Sequence, residues 1–231
     1  MITSENQYLT HPAGNTRNLS RRQQPDDGLY RNGGKRLLDI AASAFALVIL
    51  TPLLVVVASI IYLYDRGKPI FVHKRVGQDG NSFGCLKLRS MEMNAEERLN
   101  DLLAASPEAR AEWEESQKLD NDPRITRVGN FLRKTSLDEL PQLLNVLRGE
   151  MSLVGPRPIV QDELARYGEH ATSYLSLRPG LTGPWQTTGR NDVSYDERVQ
   201  MDVAYAREIT LMEDLRIMVM TVVTMLRRTG K

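Results

Sequence analysis

The chain has 231 residues and a mass of 26.1 kDa, and its 30 Lys and Arg nearly balance 29 Asp and Glu. This length suits one medium-sized domain, and a content of 41% hydrophobic residues excludes a disordered or fibrous protein. The formal net charge of +1 disfavours a nucleic-acid partner held by net electrostatics. A single cysteine excludes an internal disulfide framework, and one cysteine with three histidines disfavours a tetrahedral zinc site.

The N-terminal part of the chain divides into a polar stretch and an apolar one. Residues 1–34 contain Pro, Gly, Asn and Arg without apolar periodicity, which predicts a disordered tail. Residues 40–64 read IAASAFALVILTPLLVVVASIIYLY and carry no charge. At about 1.5 Å per residue this run is long enough to cross a bilayer core of about 30 Å. We therefore expect a membrane protein.

Thr51 and Pro52 lie near the middle of the apolar run. A proline removes a helix hydrogen bond, so it predicts a kink between two arms of about 18 Å each. Arms of this length favour a re-entrant hairpin that enters and leaves one leaflet. A spanning helix with a tolerated proline is the alternative. Basic residues flank the run on both sides and favour cytoplasmic ends for both arms: Arg31, Lys35 and Arg36 before it, and Arg66, Lys68, Lys74 and Arg75 after it.

Two short apolar runs, IFVHKRVG and SFGCLKLRSM, are separated by QDGN and predict a β-hairpin. On its second strand Lys87 and Arg89 point to one face, whereas Leu86 and Leu88 point to the other. A basic row beside a buried row is the arrangement expected of a cleft that binds phosphate.

Three helices are predicted in the rest of the chain. Residues 94–117 are rich in Glu, Ala, Leu and Arg and predict an amphipathic surface helix. Residues 137–148 predict a second helix that ends at Gly149. The apolar stretch 209–228 is interrupted by Asp214 and Arg216, so it predicts a core or membrane-surface helix.

The segment SLDELPQL, residues 136–143, puts Asp138 and Glu139 at a predicted helix start. One interpretation is structural, because Ser136 and Glu139 match a capping box. The other is chemical, because the amides of a helix start stabilise both a nucleophilic carboxylate and an anionic substrate. Rigid arginines strengthen the chemical interpretation: Arg157 lies between two prolines and Arg178 precedes one. A structural salt bridge is the alternative for each arginine.

Two weaker signals have competing interpretations. The run Asp120-Asn121-Asp122 resembles an acidic metal-binding triplet of glycosyltransferases, although such a run more often marks a turn. Trp185 is a candidate for stacking on a base or sugar, and equally for a core or membrane-interface anchor.

Four segments together resemble the bacterial sugar transferase family, whose members are monotopic polyprenyl-phosphate phosphoglycosyl transferases. They are KRLLDI before the proline-broken run, CLKLRSM, DPRITRVGNFLRKTSLDELPQLLNVLRGEMSLVGPRP, and RPGLTGPWQTTGR. The resemblance extends from about residue 35 to the C-terminus. The chain looks most like the short, single-domain galactosyl-phosphate transferases that begin exopolysaccharide assembly.

The resemblance implies a mainly helical α+β fold with a re-entrant membrane helix over residues 35–66, a small β-hairpin and amphipathic interfacial helices. Residues 67–231 would form a catalytic domain on the cytoplasmic face of the bacterial inner membrane. It also implies transfer of galactose 1-phosphate or glucose 1-phosphate from a UDP-sugar to undecaprenyl phosphate, with release of UMP. Asp138 would be the nucleophile and Glu139 its partner in organising Mg2+. The residues implied to contact phosphate or nucleotide are Lys87, Arg89, Arg124, Arg157 and Arg190.

Two other functions are compatible with the residues. A membrane-associated glycosyltransferase that uses the triplet at residues 120–122 would release UDP instead of UMP. A membrane-anchored scaffold for polysaccharide export would use the dyad only as a helix cap. The identity of the sugar and the presence of a homo-oligomer stay open at this point.

Overall fold

The computed structural model describes residues 28–116, 119, 121–188 and 193–226. Residues 28–34 form a short helical stretch with a π-helical turn over Tyr30–Gly34, which is kinked at Asn32 and Gly33. Tyr30 is buried, and its hydroxyl donates a hydrogen bond to Asp214 at 2.6 Å. The prediction of a disordered tail is therefore wrong for residues 28–34, because Tyr30 anchors this stretch to the C-terminal helix. Residues 1–27 lie outside the described residues.

Helix α1, Lys35–Asp65, continues through Pro52. Pro52 has no amide to donate to the carbonyl of the preceding turn, and the Thr51 hydroxyl donates to the Leu47 carbonyl at 2.6 Å. By length and composition alone, the helical stretch Tyr30–Asp65 is long and apolar enough to cross a membrane, and an 18-residue window within it has a mean hydropathy of 2.8. Exposed apolar side chains cover its middle part: Phe45, Val48, Ile49, Leu53, Val55, Val56 and Ile60.

Both ends of α1 contact the domain that follows it. Near the start of α1, the Arg36 guanidinium donates to the carbonyls of Val146 and Leu147, and Asp39 accepts from the Leu153 amide at 2.8 Å. The second half of α1 packs in an apolar cluster, which we call the α1 cluster. It consists of Val57, Ile61, Leu88 and Leu132, with Leu54, Val128 and Leu137 packed against it.

The predicted β-hairpin is confirmed. Strand β1, Ile70–Val76, pairs antiparallel with β2, Ser82–Leu88, in a register that runs from Ile70 opposite Leu88 to Val76 opposite Ser82. Asp79 and Gly80 have φ of 57° and 79°, and the Asn81 amide donates to the Gln78 carbonyl. Two consecutive positive φ values define a type I′ turn, which suits the twist of a hairpin and favours Asp-Gly.

The helix predicted over residues 94–117 is two helices. They are α2, Ala95–Ala105, and α3, Pro107–Ser116. Ser106 separates them in an extended conformation, with φ −125° and ψ 111°. The cause is Pro107, because the proline ring disfavours helical geometry in the residue before it.

The helix predicted over residues 137–148 begins later than expected. Helix α4, Arg127–Thr135, is followed by a 3₁₀ turn, Leu137–Glu139, and then by α5, Gln142–Arg148. The predicted stop at Gly149 is confirmed, since this residue has φ 84° and its amide donates to the Val146 carbonyl. The dyad therefore lies in a tight turn between two helices.

The loops rich in proline and glycine form a second small sheet, which the sequence did not predict. Strand β3, Ser152–Val154, pairs in parallel with β4, Gly180–Thr182. A Cβ atom on Gly180 would lie 2.2 Å from the Gly155 amide nitrogen, so only glycine permits this approach. Between and after these strands come α6, Gln161–Leu164; α7, Ala171–Leu175; α8, Pro184–Thr188; α9, Tyr195–Arg207; and α10, Leu211–Leu226.

Helix α10 has one buried face and one exposed apolar face. Asp214 and Ile217 are buried against the domain. The exposed face consists of Leu211, Met212, Leu215, Val219, Met220 and Val222. An apolar face without protein cover is typical of a helix at a membrane surface. The described part of the chain is thus mainly helical with small two-stranded sheets, as expected for the α+β class.

Candidate active site

The turn that carries the dyad starts where α4 ends. Ser136 adopts a left-handed conformation with φ 56°, and its amide donates to the Arg133 carbonyl at 3.1 Å. Its side chain makes no capping hydrogen bond. The capping box predicted for Ser136 and Glu139 is therefore wrong, because Ser136 terminates the preceding helix. The Glu139 carboxylate turns instead towards the β-hairpin.

Lys87 of β2 and Glu139 form an ion pair across the site. The Lys87 Nζ donates to Glu139 Oε1 at 2.8 Å, and both side chains are partly exposed. The hydrogen bond joins the open end of the hairpin, away from its turn, to the dyad turn. It places Lys87 next to the dyad turn.

Asp138 is a buried carboxylate, with an exposed fraction of 8%. Burial is the main cause that raises its pKa from 3.8 to about 6, and the negative charge of Glu139 raises it further. The positive charges of Lys87 and Arg133 act in the opposite direction. Near neutral pH this carboxylate is ionised yet poorly solvated, which is the condition of a reactive nucleophile.

A cleft opens beside Glu139. Its lining includes three basic side chains, those of Arg75, Lys87 and Arg157. The amide side chains Gln142 and Gln186 also reach it. The remaining lining residues are Cys85, Glu139, Pro158, Gly180 and Leu181. Three cations in one small concavity are suited to bind a diphosphate.

Trp185 supports the basic wall of this cleft. The guanidinium groups of Arg157 and Arg198 lie 5.7 Å and 4.5 Å from the centre of its ring. Trp185 itself is 6% exposed, so it is a core residue and not an open surface for a base or sugar. Its contact with two guanidiniums restricts their positions through cation–π attraction.

A second polar cluster lies behind Asp138. Asp122 accepts hydrogen bonds from Arg124 Nε at 2.8 Å and Nη2 at 2.6 Å, and Arg124 lies over the Trp113 ring. Although burial raises the pKa of Asp122, its hydrogen bonds from Arg124 outweigh that effect and lower it. Arg133 donates to Ser90 Oγ at 2.9 Å. Arg124 thus holds Asp122 and does not line the cleft.

The pairing of Asp122 with Arg124 also argues against a metal site formed by all three residues of the acidic triplet, 120–122. Both carboxylate oxygens of Asp122 are engaged by Arg124. Asp120 lies outside the described residues. The remaining member, Asn121, is an exposed turn residue, as the turn interpretation predicted.

The other predicted site residues have different positions. Arg89 binds Asp65 with both terminal nitrogens at 2.5 Å and Lys68 through its backbone carbonyl, so it fixes the end of α1 and does not line the cleft. It lies just after the last residue of β2 and is not part of the strand that carries Lys87. Thr51 and Pro52 lie in the middle of α1. Arg190 is outside the described residues.

Sequence reasoning missed Arg75, Gln142, Gln186 and Arg133 as site residues. The register of the hairpin contains the signal for Arg75, because alternate residues of β1 share the face that carries Lys87. Arg133 lies five residues before Asp138 in the motif FLRKTSLDEL. The two glutamines carry no comparable signal in the sequence.

The carboxylates of Asp138 and Glu139 fit a magnesium ion only when substrate phosphates supply further ligands. Among the described residues, no group of three or more His, Cys, Asp and Glu side chains is arranged to hold a metal. Asp138 and Glu139 are adjacent carboxylates whose mutual repulsion contributes to the raised pKa of Asp138. Mg2+ is usually bound by one or two carboxylates together with waters and substrate phosphates. These two residues satisfy that requirement.

Comparison with known proteins identifies the family of this chain. The family model described as bacterial sugar transferase matches residues 30–228. This chain belongs to the bacterial sugar transferase family. The matched range includes α1, the hairpin, the dyad turn and all of α10.

Three relatives illustrate the similarity. The undecaprenyl-phosphate galactose phosphotransferase of Salmonella typhimurium is 54% identical over 201 residues, covering 85% of this chain and 41% of that protein. The UDP-galactose-lipid carrier transferase of Erwinia amylovora is 50% identical over 196 residues, with the same coverage of 85% and 41%. The exopolysaccharide production protein ExoY of Rhizobium meliloti is 48% identical over 188 residues, covering 81% of this chain and 83% of ExoY. The chain therefore spans less than half the length of the first two relatives and most of the third.

Proposed function

We propose that this bacterial sugar transferase moves hexose 1-phosphate from a UDP-sugar to undecaprenyl phosphate and thereby initiates exopolysaccharide synthesis. The hexose is galactose or glucose. The observation that carries the proposal is the buried Asp138 carboxylate next to a basic cleft formed around the Lys87–Glu139 pair. The names of the relatives, which include undecaprenyl phosphate, galactose and a lipid carrier, support the same substrates.

In the first step, an oxygen of the Asp138 carboxylate attacks the sugar-bearing phosphorus of the UDP-sugar. A phosphorus–oxygen bond forms to Asp138, and the bond from that phosphorus to the bridging oxygen breaks. UMP leaves with the bridging oxygen and its electron pair. The phosphosugar stays on Asp138 as a mixed carboxylic–phosphoric anhydride. The cations of Arg75, Lys87 and Arg157 are suited to bind the diphosphate during this step.

In the second step, a phosphate oxygen of undecaprenyl phosphate attacks the same phosphorus. The bond between phosphorus and the Asp138 oxygen breaks, and the carboxylate is regenerated with its electron pair. The product is an undecaprenyl diphosphate sugar. Two successive displacements at one phosphorus need no external oxidant or reductant, and the charge of the dyad is the same before and after the cycle.

Asp138 and Glu139 would hold Mg2+ together with the substrate diphosphate. Bound there, the ion would neutralise phosphate charge and favour departure of UMP. Glu139 is fixed by Lys87, so its carboxylate is oriented before substrate arrives. Glu139 would therefore position the negative charge and the Mg2+ next to Asp138.

We further propose that α1 is re-entrant and bends at Pro52, with the catalytic domain on the cytoplasmic face of the bacterial inner membrane. Arg36 and Leu54 are separated by 54 − 36 = 18 residues, which is about 27 Å along a straight helix. Arg36 binds the carbonyls of Val146 and Leu147, and Leu54 packs in the α1 cluster with Leu137. These contacts are at most ten residues apart in a largely helical segment, which is about 15 Å. Leu137 belongs to the turn directly before α5. A bend in α1 accounts for both contacts.

Cysteine accessibility in spheroplasts tests this topology. Leu29→Cys and Glu169→Cys place thiols at exposed positions before and after α1. A membrane-impermeant maleimide should label neither until the membrane is permeabilised. A spanning helix would expose Leu29→Cys to the outside and is distinguished by immediate labelling of that variant alone.

Nucleotide release tests the chemistry. Purified protein is incubated with UDP-galactose or UDP-glucose, Mg2+ and undecaprenyl phosphate, and compared with Asp138→Asn. We expect UMP from one donor and none from the variant. With donor labelled in its sugar phosphate and no acceptor present, wild-type protein should retain label that hydroxylamine removes, as expected of an acyl phosphate. Glu139→Gln should reduce the rate while still allowing some labelling.

The two other functions predict different products. UDP in place of UMP would identify a glycosyltransferase. A folded protein that releases neither nucleotide from either donor would be the result expected of a scaffold.

A further inference from the structure

The first half of β1 is apolar and exposed. Ile70, Phe71 and Val72 have exposed fractions of 38%, 50% and 56%. Successive residues of a strand point to opposite faces, so the exposure affects both faces of this end of β1. Such a patch on a protein surface marks an interaction site.

The backbone edge of β1 is also open there. Within the described residues, β1 has β2 as its sole sheet neighbour, and the other edge of β1 bonds to the Ile159 carbonyl through the Val76 amide. Ile70–Val72 therefore form an apolar edge without a strand beside it. Edges of this kind are usually protected by a covering surface or by another strand.

The surroundings of this edge are those of a membrane interface. α1 ends at Asp65, and five residues of chain span at most about 18 Å, so Ile70 lies close to the end of the apolar helix. Tyrosines and basic residues concentrate where proteins leave a bilayer. The residues of this kind exposed between α1 and the middle of β1 are Tyr62, Tyr64, Arg66, Lys68 and Lys74.

We propose that Ile70–Val72 docks into the headgroup region of the lipid bilayer as a second membrane contact next to α1. The proposal rests on insertion of α1 in the membrane, which is part of the proposed function. The occupant of the apolar edge is lipid, attracted as anionic headgroups by the flanking Lys68 and Lys74.

The register of the hairpin connects this contact to the active site. Phe71 is paired with Lys87, so both side chains lie on the same face of the sheet. Arg75 and Cys85 share that face and line the cleft. Docking of Phe71 therefore holds the cleft face of the hairpin at the depth of lipid phosphates. A lipid-borne phosphate reaches Lys87 along this face without leaving the interface.

Pairing with a second copy of this chain is disfavoured by charge. In an antiparallel two-fold pairing centred on Phe71, Lys68 of one copy lies opposite Lys74 of the other, since 68 + 74 is twice 71. Like charges directly opposite each other on neighbouring strands are destabilising. Contact with lipid does not bring Lys68 and Lys74 of two copies together, so this repulsion is absent.

Spin labels in nanodiscs of phosphatidylethanolamine and phosphatidylglycerol test the contact. Single cysteines replace Val48 in the apolar part of α1, Val72 on the edge, and Glu169 on an exposed loop. Cys85 is 1% exposed, so the introduced thiols react selectively. Collision with oxygen and with a water-soluble nickel complex reports the depth of each label.

We expect Val48→Cys to be deepest, Glu169→Cys to be in water and Val72→Cys to lie at headgroup depth. A Val72 label as accessible to nickel as the Glu169 label overturns the docking proposal, as does spin–spin broadening at Val72 that disappears on dilution with unlabelled protein. If the Val48 label is also exposed to water, α1 itself is not inserted in the membrane. This result differs from loss of the β1 contact alone, in which the Val48 label stays deep.

A kinetic measurement links the contact to lipid use. Phe71→Ser should raise the KM for undecaprenyl phosphate in nanodiscs about tenfold, the effect of losing burial of one aromatic side chain. Formation of the labelled phosphosugar enzyme from UDP-sugar should be unchanged. Phe71→Leu keeps an apolar side chain and should restore the wild-type KM. Equal loss in both half-reactions, or no change in either, contradicts a docking role.

Discussion

Lys87 Nζ and Glu139 Oε1 lie 2.8 Å apart although the two residues are 52 positions apart in the chain. The pair joins the β-hairpin to the dyad turn and sets the charge beside Asp138. Glu139 raises the pKa of Asp138 and Lys87 lowers it, so the two side chains oppose each other at the proposed nucleophile. Burial is the main cause of the raised pKa of Asp138, and these two side chains from different elements change it in opposite directions.

Lys87→Met should shift the pH dependence of the reaction. Removing this cation removes an influence that lowers the pKa of Asp138, so the carboxylate will need a higher pH to ionise. The acid limb of kcat/KM for the UDP-sugar should move to higher pH in addition to a fall in rate. A Lys87→Arg control keeps the charge and should keep the limb near its wild-type pH. If the rate falls but the acid limb of the pH profile does not move, Lys87 acts in substrate binding and does not control the pKa of Asp138.

Asp138→Asn should stabilise the folded protein above about pH 6. A folded-state pKa raised from 3.8 to about 6 means that the stability contributed by the protonated form is complete below pH 3.8 and lost as the pH rises through 6. An uncharged asparagine avoids the burial of this charge and should raise the unfolding free energy by about 1–3 kcal/mol at pH 8. Thermal unfolding at pH 8 and pH 4.5 should show a gain at pH 8 that largely disappears at pH 4.5.

Asp122→Asn is the matched control for that measurement. The pKa of Asp122 is lowered by Arg124 in spite of burial, so its charge contributes stability in the folded state. This contribution is present above the unfolded-state pKa of about 3.9 and is lost as the pH falls through the lower folded-state value. Asp122→Asn should therefore destabilise the protein at pH 8. A loss at both positions would indicate that Asp138 is a structural carboxylate.

Asp214→Asn should be strongly destabilising. Asp214 is 1% exposed and accepts hydrogen bonds from the hydroxyls of Tyr30 and Tyr205, both at 2.6 Å, and from Lys35 Nζ at 2.5 Å. Without the carboxylate, the Lys35 ammonium stays partly buried without its counter-ion. Breaking such a pair costs about 3–5 kcal/mol. Chemical denaturation in detergent or nanodiscs should measure this loss.

Asn145→Asp should destabilise the strand that carries Lys87. Asn145 is fully buried and acts as a strand neighbour for β2, accepting from the Leu86 amide at 3.0 Å and donating to the Gly84 carbonyl at 2.8 Å. A carboxylate cannot donate to that carbonyl, so the variant should lose about 2–4 kcal/mol and UMP-forming activity together. If the variant keeps full activity, the contact of Asn145 with β2 is not needed for the reaction.

Two exposed substitutions provide reference values for these losses. Glu213→Gln removes an exposed pair with Arg216 one turn along α10, and Asn130→Ala changes an exposed residue of α4. Each should change the unfolding free energy by no more than about 0.5 kcal/mol. A loss of several kcal/mol in either would show that the assay does not distinguish buried polar networks from the surface.

Features of the fold that depend on local sequence were predictable. The hairpin follows from two apolar runs around Asp79-Gly80, and the end of α5 follows from Gly149, because positive φ values select these residue types. Strand alternation also places Lys87 on the same face of β2 as Cys85, which lines the cleft with it. These signals require only neighbouring residues or an alternating pattern.

Features that depend on distant partners were not predictable. Ser136 and Glu139 match a capping box, yet α4 ends at Ser136 and Lys87 from another element binds Glu139. Arg89 shares the alternation of Lys87, but Asp65 at the end of α1 engages it. The parallel pairing of β3 with β4 joins segments separated by α6 and α7, and no local pattern encodes that meeting.

The contact of Asp214 with Lys35 has a consequence for biosynthesis. The two residues are separated by 179 positions, so at about 5–20 residues per second the ribosome makes Asp214 roughly 10–35 s after Lys35. In the proposed membrane topology, α1 therefore meets the insertion machinery long before the Asp214 carboxylate that binds Lys35 exists. In this topology insertion of α1 comes early. Attachment of its first turn to the catalytic domain through Asp214 is among the last steps of folding. Translation arrest before Asp214 should leave an inserted helix whose first turn is not yet attached to its domain.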